Sequence, residues 1–413
     1  MRANILTVGN EILSGYVADT NAAYLAGRIC ELGIAVRRIS SVGDDVEEIC
    51  AEIRTALEDT DLLIVTGGLG PTEDDLTKQA LARAVGRRLV VDKHLHGRLA
   101  ERWKSRKPVS PRVIEALSLI PEGATTIGNP VGAAVGLDIE HEGHRLFALP
   151  GVPREMKSIF EGAIAPLLKE MPKDEISGTR VIKTTGIRES EIAARLVPVA
   201  ADLPAGLGYL PRIEGVDLRL TAVGGDQPTM AGRLDKATQK ILPLLGSYVF
   251  SADGEDLNLV VANTLMKQGT TLAVAESCTG GLIGHLLTQV AGISACLDRV
   301  IVSYSNRAKT EHLAVSREML ETYGAVSPEV AEAMAKGVRE LSGSDLGLST
   351  TGIAGPSGAT KTKPVGLVYL GLAHAEGCVV SEQVFPGSRE VVKLKAAVYA
   401  LNMIRMRLTE SEA

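Results

Sequence analysis

Aromatic side chains are scarce: 3% of the 413 residues, with one tryptophan, four phenylalanines and eight tyrosines. Over residues 171–250 they make no stacking platform of the kind that holds single-stranded nucleic acid. Charge of one sign is lacking too. The 44 basic and 50 acidic side chains leave a formal charge of −6, which excludes a general polyanion-binding field and would confine any nucleic acid to a local patch. Cysteine is limited to Cys30, Cys50, Cys278, Cys296 and Cys378, without the even count or the close pairs of a disulfide framework or a zinc site. Five free thiols in a reducing compartment are expected. No apolar run reaches the length of about 18 residues that a membrane span needs. The N-terminal MRANILTVGNEIL is interrupted by Gly9, Asn10 and Glu11, unlike the core of a signal peptide. These absences together predict a soluble cytoplasmic protein.

What remains is a chain that is 45% apolar and 23% charged, with 43 glycines and 18 prolines, as expected of globular α/β domains joined by tight loops. At roughly 150 residues per domain its length suggests two or three folded units. NILTVG at 4–9 and DLLIVT at 61–66 are short apolar runs, each followed by helical spacing. Between them Ala22, Leu25, Ile29 and Leu32 recur at helical intervals until Gly33, and IAVRRI resumes as a strand. This βα rhythm predicts a doubly wound parallel sheet. Near residue 171 the pattern breaks at PKDEISGTR, and a small α+β module follows. A second βα rhythm starts after the acidic turn at 251–256, with helix 257–268, strand 271–275, helix 280–290, strand 299–304 and later strands at 346–352 and 366–373. The expected fold class is therefore α/β: two doubly wound three-layer domains, 1–170 and 252–413, linked by an α+β module at 171–250.

Three loops carry chemistry. In TGGLGPTEDDLT, after a strand, Gly67, Gly68 and Gly70 permit a sharp turn and close ligand approach, and Thr72 can cap the next helix, as at phosphate sites. Glu73, Asp74 and Asp75 beside a phosphate would call for a divalent cation, or else complement the positive end of a helix dipole. The spacing is not the GxGxxG of dinucleotide-binding dehydrogenases. NPVGAAVG at 129–136 and ALPGVPREM at 148–156 are either simple turns or further walls of the same crevice. The basic stretch at 87–108 reads as a solvated helix face or a phosphate contact.

In AESCTGGLIG, Ser277 stands at a strand-to-helix bend, with Thr279, Gly280 and Gly281 offering N–H groups for an oxyanion. His285 lies too far along the helix to be its base, whereas SYSNRAKTEHL supplies Tyr304 and Lys309, and a desolvated lysine can serve. The alternatives are a capping serine with a surface lysine, or Cys278 as nucleophile. Thr351 opens the polar loop at 349–366, and Arg389 and Lys393 share one helix face suited to phosphate or to solvent.

The motifs GNEILSG, DTN, VGDD and GGLGPTEDDLT, followed by AESCTGG, VSYSNRAK, GAVSPEVA and TGIAGPSG, closely resemble those of the competence/damage-inducible protein A family, CinA, over essentially the whole chain. The resemblance implies a molybdopterin-binding-like domain, a KH-like linking module and a nicotinamide mononucleotide amidase domain. It implies deamidation of nicotinamide mononucleotide to nicotinate mononucleotide and ammonia without a cofactor, and a metal-dependent ADP-ribose pyrophosphatase in the N-terminal half. Ser277 matches the family's nucleophile, Tyr304 and Lys309 its activating pair, Thr351 and Arg389 its substrate positions, and Asp74 and Asp75 its paired acids. Thr279 and Gly280, together with Gly67, Gly68, Gly70 and Thr72, are the further substrate-binding candidates. The chain departs from the family pattern at Gly132–Gly136, which reads GAAVG where GTAPG is common, near Glu115, where a glutamine is expected, and at Lys393, where arginine is common. The expected partners are small nucleotides and a second copy of the chain, with no membrane and no nucleic acid. Two other functions share these features: a molybdopterin-handling enzyme or adenylyltransferase, which leaves the Ser277, Tyr304 and Lys309 set unused, and a nucleotide-binding scaffold with relic sites.

Overall fold

The computed structural model describes residues 1–104, 109–171 and 176–410. The end of the basic stretch (105–108) and the start of the module boundary (172–175) therefore lie outside the described residues. The chain divides into two compact units, Met1–Thr179 with Thr221–Leu234, and Arg180–Leu220 with Asp235–Ala413.

The first unit is built on β1 (Arg2–Val8), β2 (Ala35–Val42), β3 (Leu62–Thr66), β4 (Leu89–Val91), β5 (Leu119–Pro121), β6 (Thr125–Ile127), β7 (Gly136–His141) and β8 (His144–Leu149). Six of these form one sheet in the order β2-β1-β3-β8-β7-β6, while β4 and β5 pair separately. Side chains alternate across it: Leu6, Val8, Leu63 and Val65 enter one core, and Ala3, Ile5, Leu62 and Ile64 the other. A strand buried on both faces must be apolar throughout, which is why LLIVT reads as a continuous run. The helix Thr20–Glu31 begins where the Asp19 carboxylate accepts from Ala22 N at 2.8 Å, and turns out through Gly33 at φ 80°. The purely parallel expectation needs correcting at one edge. Glu142 and Gly143, at φ 49° and 85°, form a two-residue turn, so β7 returns antiparallel to β8 and β6 antiparallel to β7.

The second unit contains most of a four-stranded sheet in the order β10-β11-β9-β12, from β9 (Ile176–Thr184), β10 (Gly206–Pro211), β11 (Val216–Gly224) and β12 (Val249–Ser251). The other sheet of this unit runs β14-β13-β15-β16-β17, from β13 (Leu272–Glu276), β14 (Leu297–Val302), β15 (Leu346–Gly352), β16 (Leu367–His374) and β17 (Gly377–Val384). Strands β14, β13 and β15 are parallel; β16 and β17 are antiparallel, again a departure from a uniform parallel sheet. On one face Leu272, Val274 and Leu348 pack against the helix Arg389–Glu410 through Val392, Ala396 and Leu401. On the other, Ala273 and Ala275 meet Val330, Met334 and Val338 of the helix Pro328–Ser342. The register aligns Glu276 with Val302 and Thr350. The three parallel strands thus end at one edge, so Ser277 and Ser303, which follow β13 and β14, and Thr351, near the end of β15, are delivered together. This is the carboxyl edge at which open α/β sheets bind ligands.

Candidate active site

Strand β13 ends on a buried carboxylate, and the chain bends at Ser277, whose N–H donates to Thr350 O at 3.0 Å. After β14, the Ser305 hydroxyl caps the helix Asn306–Leu313 by accepting from Ala308 N at 3.1 Å. Lys309 lies in that helix, 1% exposed, and its Nζ donates to Ser277 Oγ at 2.9 Å and to Ser303 O at 2.7 Å. Burial lowers its pKa from the ordinary lysine value to about 8, against an opposing pull from Cys278. A lysine so placed holds a neutral fraction near pH 7, and its lone pair then faces the serine hydroxyl. The neighbouring thiol takes the opposite course: burial pushes Cys278 up to about 12, leaving it protonated and inert.

A cavity of about 220 Å³ opens over the pair and is lined by Ser277, Cys278, Tyr304, Lys309, Thr351 and Arg389, among others. Arg389 Nη2 donates to the Tyr304 hydroxyl and Nη1 to Gly355 O, both at 2.8 Å, so one guanidinium joins two walls. The hydrogen bond of Tyr304 runs to Arg389. Among the described residues no hydrogen bond links Tyr304 to Lys309 or Ser277, so in this structure the two members of the activating pair line the same cavity without touching. Thr351 Oγ1 donates to Ala325 O at 2.6 Å, which braces the opposite wall.

The bend itself corrects part of the sequence reading. Gly280 N donates to Ser277 O at 3.2 Å, Gly281 N to Glu276 Oε2 at 2.8 Å and Gly284 N to Glu276 Oε1 at 2.9 Å. Both glycines sit at positive φ, 62° and 91°, but their N–H groups are taken up inside the turn. Thr279 is fully buried, with its hydroxyl 2.8 Å from that of Thr350. Sequence reasoning passed over Glu276 and Ser303. The signal for Glu276 was a carboxylate ending an otherwise apolar strand, directly before a turn rich in N–H donors. A Cβ on Gly280 would lie 3.6 Å from Lys393 Nζ, so this second cation flanks the turn from the helix that carries Arg389.

The glycine loop of the first unit lies at the carboxyl end of β3. Gly67 is at φ 107°, and a Cβ there would lie 2.1 Å from Val8 O; Gly68 is at φ 65°. Asp75 turns back into the loop, accepting from Gly70 N at 2.7 Å, from Thr72 N at 2.8 Å and from the Thr72 hydroxyl. Thr72 therefore does not cap a helix, which starts later at Thr77, whose Oγ1 donates to Gly67 O at 2.8 Å. Lys78 is buried with its Nζ on Ala116 O at 2.9 Å, and burial lowers its pKa to about 8. Asn21 Nδ2 donates to Gly151 O at 2.7 Å, and Asn129 Nδ2 to Ala134 O at 2.7 Å, which shapes the loops at 148–156 and 129–136. Among the described residues no group of three or more His, Cys, Asp or Glu side chains could hold a metal ion. Of the paired acids, Asp74 is exposed, while both oxygens of Asp75 are spent on the loop's own donors.

Fold and site together define a modular α/β protein whose second unit carries a serine–lysine pair at the carboxyl edge of its sheet. Residues 4–170 match the model "Probable molybdopterin binding domain", 179–251 the "Damage-inducible protein CinA KH domain" and 254–408 the "CinA C-terminal domain". A CinA-like protein of Geotalea daltonii is 41% identical over 416 residues, covering 99% of each chain, and one of Gemmatimonas aurantiaca is 40% identical over 414 residues, covering 98% of this chain and 96% of the other. A crystal structure of a competence/damage inducible protein from Agrobacterium tumefaciens covers 38% of this chain and 97% of its own at 37% identity and a TM-score of 0.36. The chain belongs to the CinA family.

Proposed function

We propose that the second unit is an amidohydrolase that converts nicotinamide mononucleotide to nicotinate mononucleotide and ammonia. The observation that carries this reading is the 2.9 Å contact between the buried Lys309 Nζ and Ser277 Oγ. An amide needs a nucleophile, a base, a proton for the departing nitrogen and donors for the developing oxyanion. Neutral Lys309 takes the Ser277 proton as Oγ bonds to the amide carbon. The lysine ammonium then returns that proton to the amide nitrogen, the C–N bond breaks and ammonia leaves an ester on Ser277. Water, deprotonated by Lys309, cleaves the ester to give the carboxylate and restores the serine. Ser303 O holds Nζ in line throughout, and Arg389 and Thr351 form the walls against which a ribose or phosphate would rest. The substrate itself is taken from the family resemblance. Ammonia release from nicotinamide mononucleotide by the purified chain tests the reading; its absence in wild type, or its persistence in Ser277→Ala, would refute it.

A second activity is proposed for the first unit: cleavage of the pyrophosphate of ADP-ribose with a divalent cation. It is supported by the place of the glycine loop, which follows β3 at the carboxyl edge where open α/β sheets bind ligands. Asp74 would hold the cation, which supplies charge neutralisation at the phosphates. Asp75 keeps the loop in shape.

A further inference from the structure

Glu276 is 0% exposed, and both of its carboxylate oxygens are spent on backbone: Oε2 on Gly281 N at 2.8 Å and Oε1 on Gly284 N at 2.9 Å. Its backbone is equally committed, since its carbonyl accepts from Ser303 N at 2.8 Å and its register pairs it with Val302 and Thr350. A charged group taken wholly out of water costs stability unless its hydrogen bonds are good, so this position calls for a role beyond filling space. The two amides it binds are among the four that the start of the helix Leu282–Thr288 leaves without an intrahelical partner. Gly280 N is satisfied by Ser277 O. Among the described residues, the hydrogen bonds of the turn thus engage the amides of Ser277, Gly280, Gly281 and Gly284, while those of Cys278 and Thr279 enter none of them. The same turn is fixed from the far side by the 2.8 Å contact between the hydroxyls of Thr279 and Thr350.

We propose that Glu276 is the positioning residue of an oxyanion hole formed by the amides of Cys278 and Thr279: by binding the two amides beyond Gly280, it holds the bend so that those two stay directed at the carbonyl attacked by Ser277. The proposal deepens the serine–lysine reading and rests on it. A neutral amide in place of the carboxylate keeps one acceptor but turns an NH2 toward a backbone N–H, a donor facing a donor, and the bend must shift. A shift of this kind is felt in the transition state more than in the ground state, because the donors must meet the oxyanion and not the resting carbonyl.

The test uses the full chain and Glu276→Gln, with Glu276→Asp as the variant that keeps the charge. A fluorophosphonate, which reacts with an activated serine and loads its oxygen into the same hole, reads the site without any amide substrate. Wild type is expected to label at Ser277. E276Q is expected to label at least about tenfold more slowly and to lose about 10- to 100-fold in kcat, below the cost of deleting a donor outright, while binding of nicotinate mononucleotide stays within about twofold. E276D is expected to fall between them, and it carries the test alone if E276Q does not fold. Labelling of both variants within twofold of wild type overturns the proposal. So does a folded variant that loses product binding in parallel with labelling, the mark of a merely structural role. A wild type that labels at Ser277 but releases no ammonia from nicotinamide mononucleotide discards the substrate and leaves the proposal standing. A wild type that does not label overturns both.

Discussion

Ser277 and Cys278 are adjacent and both buried, yet their surroundings assign them opposite chemistry. The serine hydroxyl meets a lysine of lowered pKa, while the thiol is pushed up to about 12 by burial. Ser277→Ala is expected to lower kcat by about a thousandfold or more, and Cys278→Ala to keep most activity. A dead Cys278 variant beside an active Ser277 variant would replace the serine mechanism by a thiolate one. In the proposed mechanism Lys309 also sets the pH response. It works as a base when neutral, so kcat/KM should climb with pH from 6 and level off above about 8, the value to which burial lowers it. Stability follows the same group. Folded Lys309 releases its proton at lower pH than the unfolded lysine, so between these two values the unfolded state binds more protons and stability rises with pH. At neutral pH the cost of burial is present, so Lys309→Met should abolish ammonia release yet raise Tm by a few degrees. A lowered Tm would show that the bonds to Ser277 and Ser303 outweigh desolvation.

Short elements were legible in the sequence where a single physical demand dominated. LGLSTTG at 346–352 and the helix at 257–268 coincide with β15 and with Leu257–Gln268, because continuous burial and a 3.6-residue period leave little choice. The β7–β8 hairpin was missed because its turn is Glu-Gly, not one of the pairs that announce such turns, and β7 had no separate signal. At the site, Ser277 and Lys309 were legible, whereas Glu276 was hidden because a buried carboxylate looks in sequence like any strand-end acid. The same limit applies to the glycine loop, where Asp75 proved to be the partner of the loop's own amides. That loop yields a clear expectation. Gly67→Ala would drive a Cβ to 2.1 Å from Val8 O at a φ of 107°, and should cost more than about 2 kcal/mol in urea unfolding. On the helix Arg389–Glu410, Arg389→Ala should raise KM for the mononucleotide more than it lowers kcat, since this side chain spans Tyr304 and Gly355 without touching Ser277.

For the molecule as a whole, the family match spans residues 4–408 in three consecutive models, and among the described residues no helix is long and apolar enough to cross a membrane. Two chemistries proposed for separate units should fail separately. Asp74→Asn is expected to remove metal-dependent ADP-ribose hydrolysis and leave ammonia release untouched, and a joint loss would refute their independence. A symmetric dimer is expected, with light scattering at micromolar protein as the check, and a monomeric mass would count against it. All five cysteines are free, and burial raises the pKa of Cys278, Cys296 and Cys378, with Cys278 near 12 and Cys378 near 11. Peroxides and alkylating agents attack the thiolate, so these three groups present almost none at neutral pH. If the proposed serine chemistry holds, ammonia release should therefore survive a peroxide or iodoacetamide dose that silences enzymes working through a thiolate.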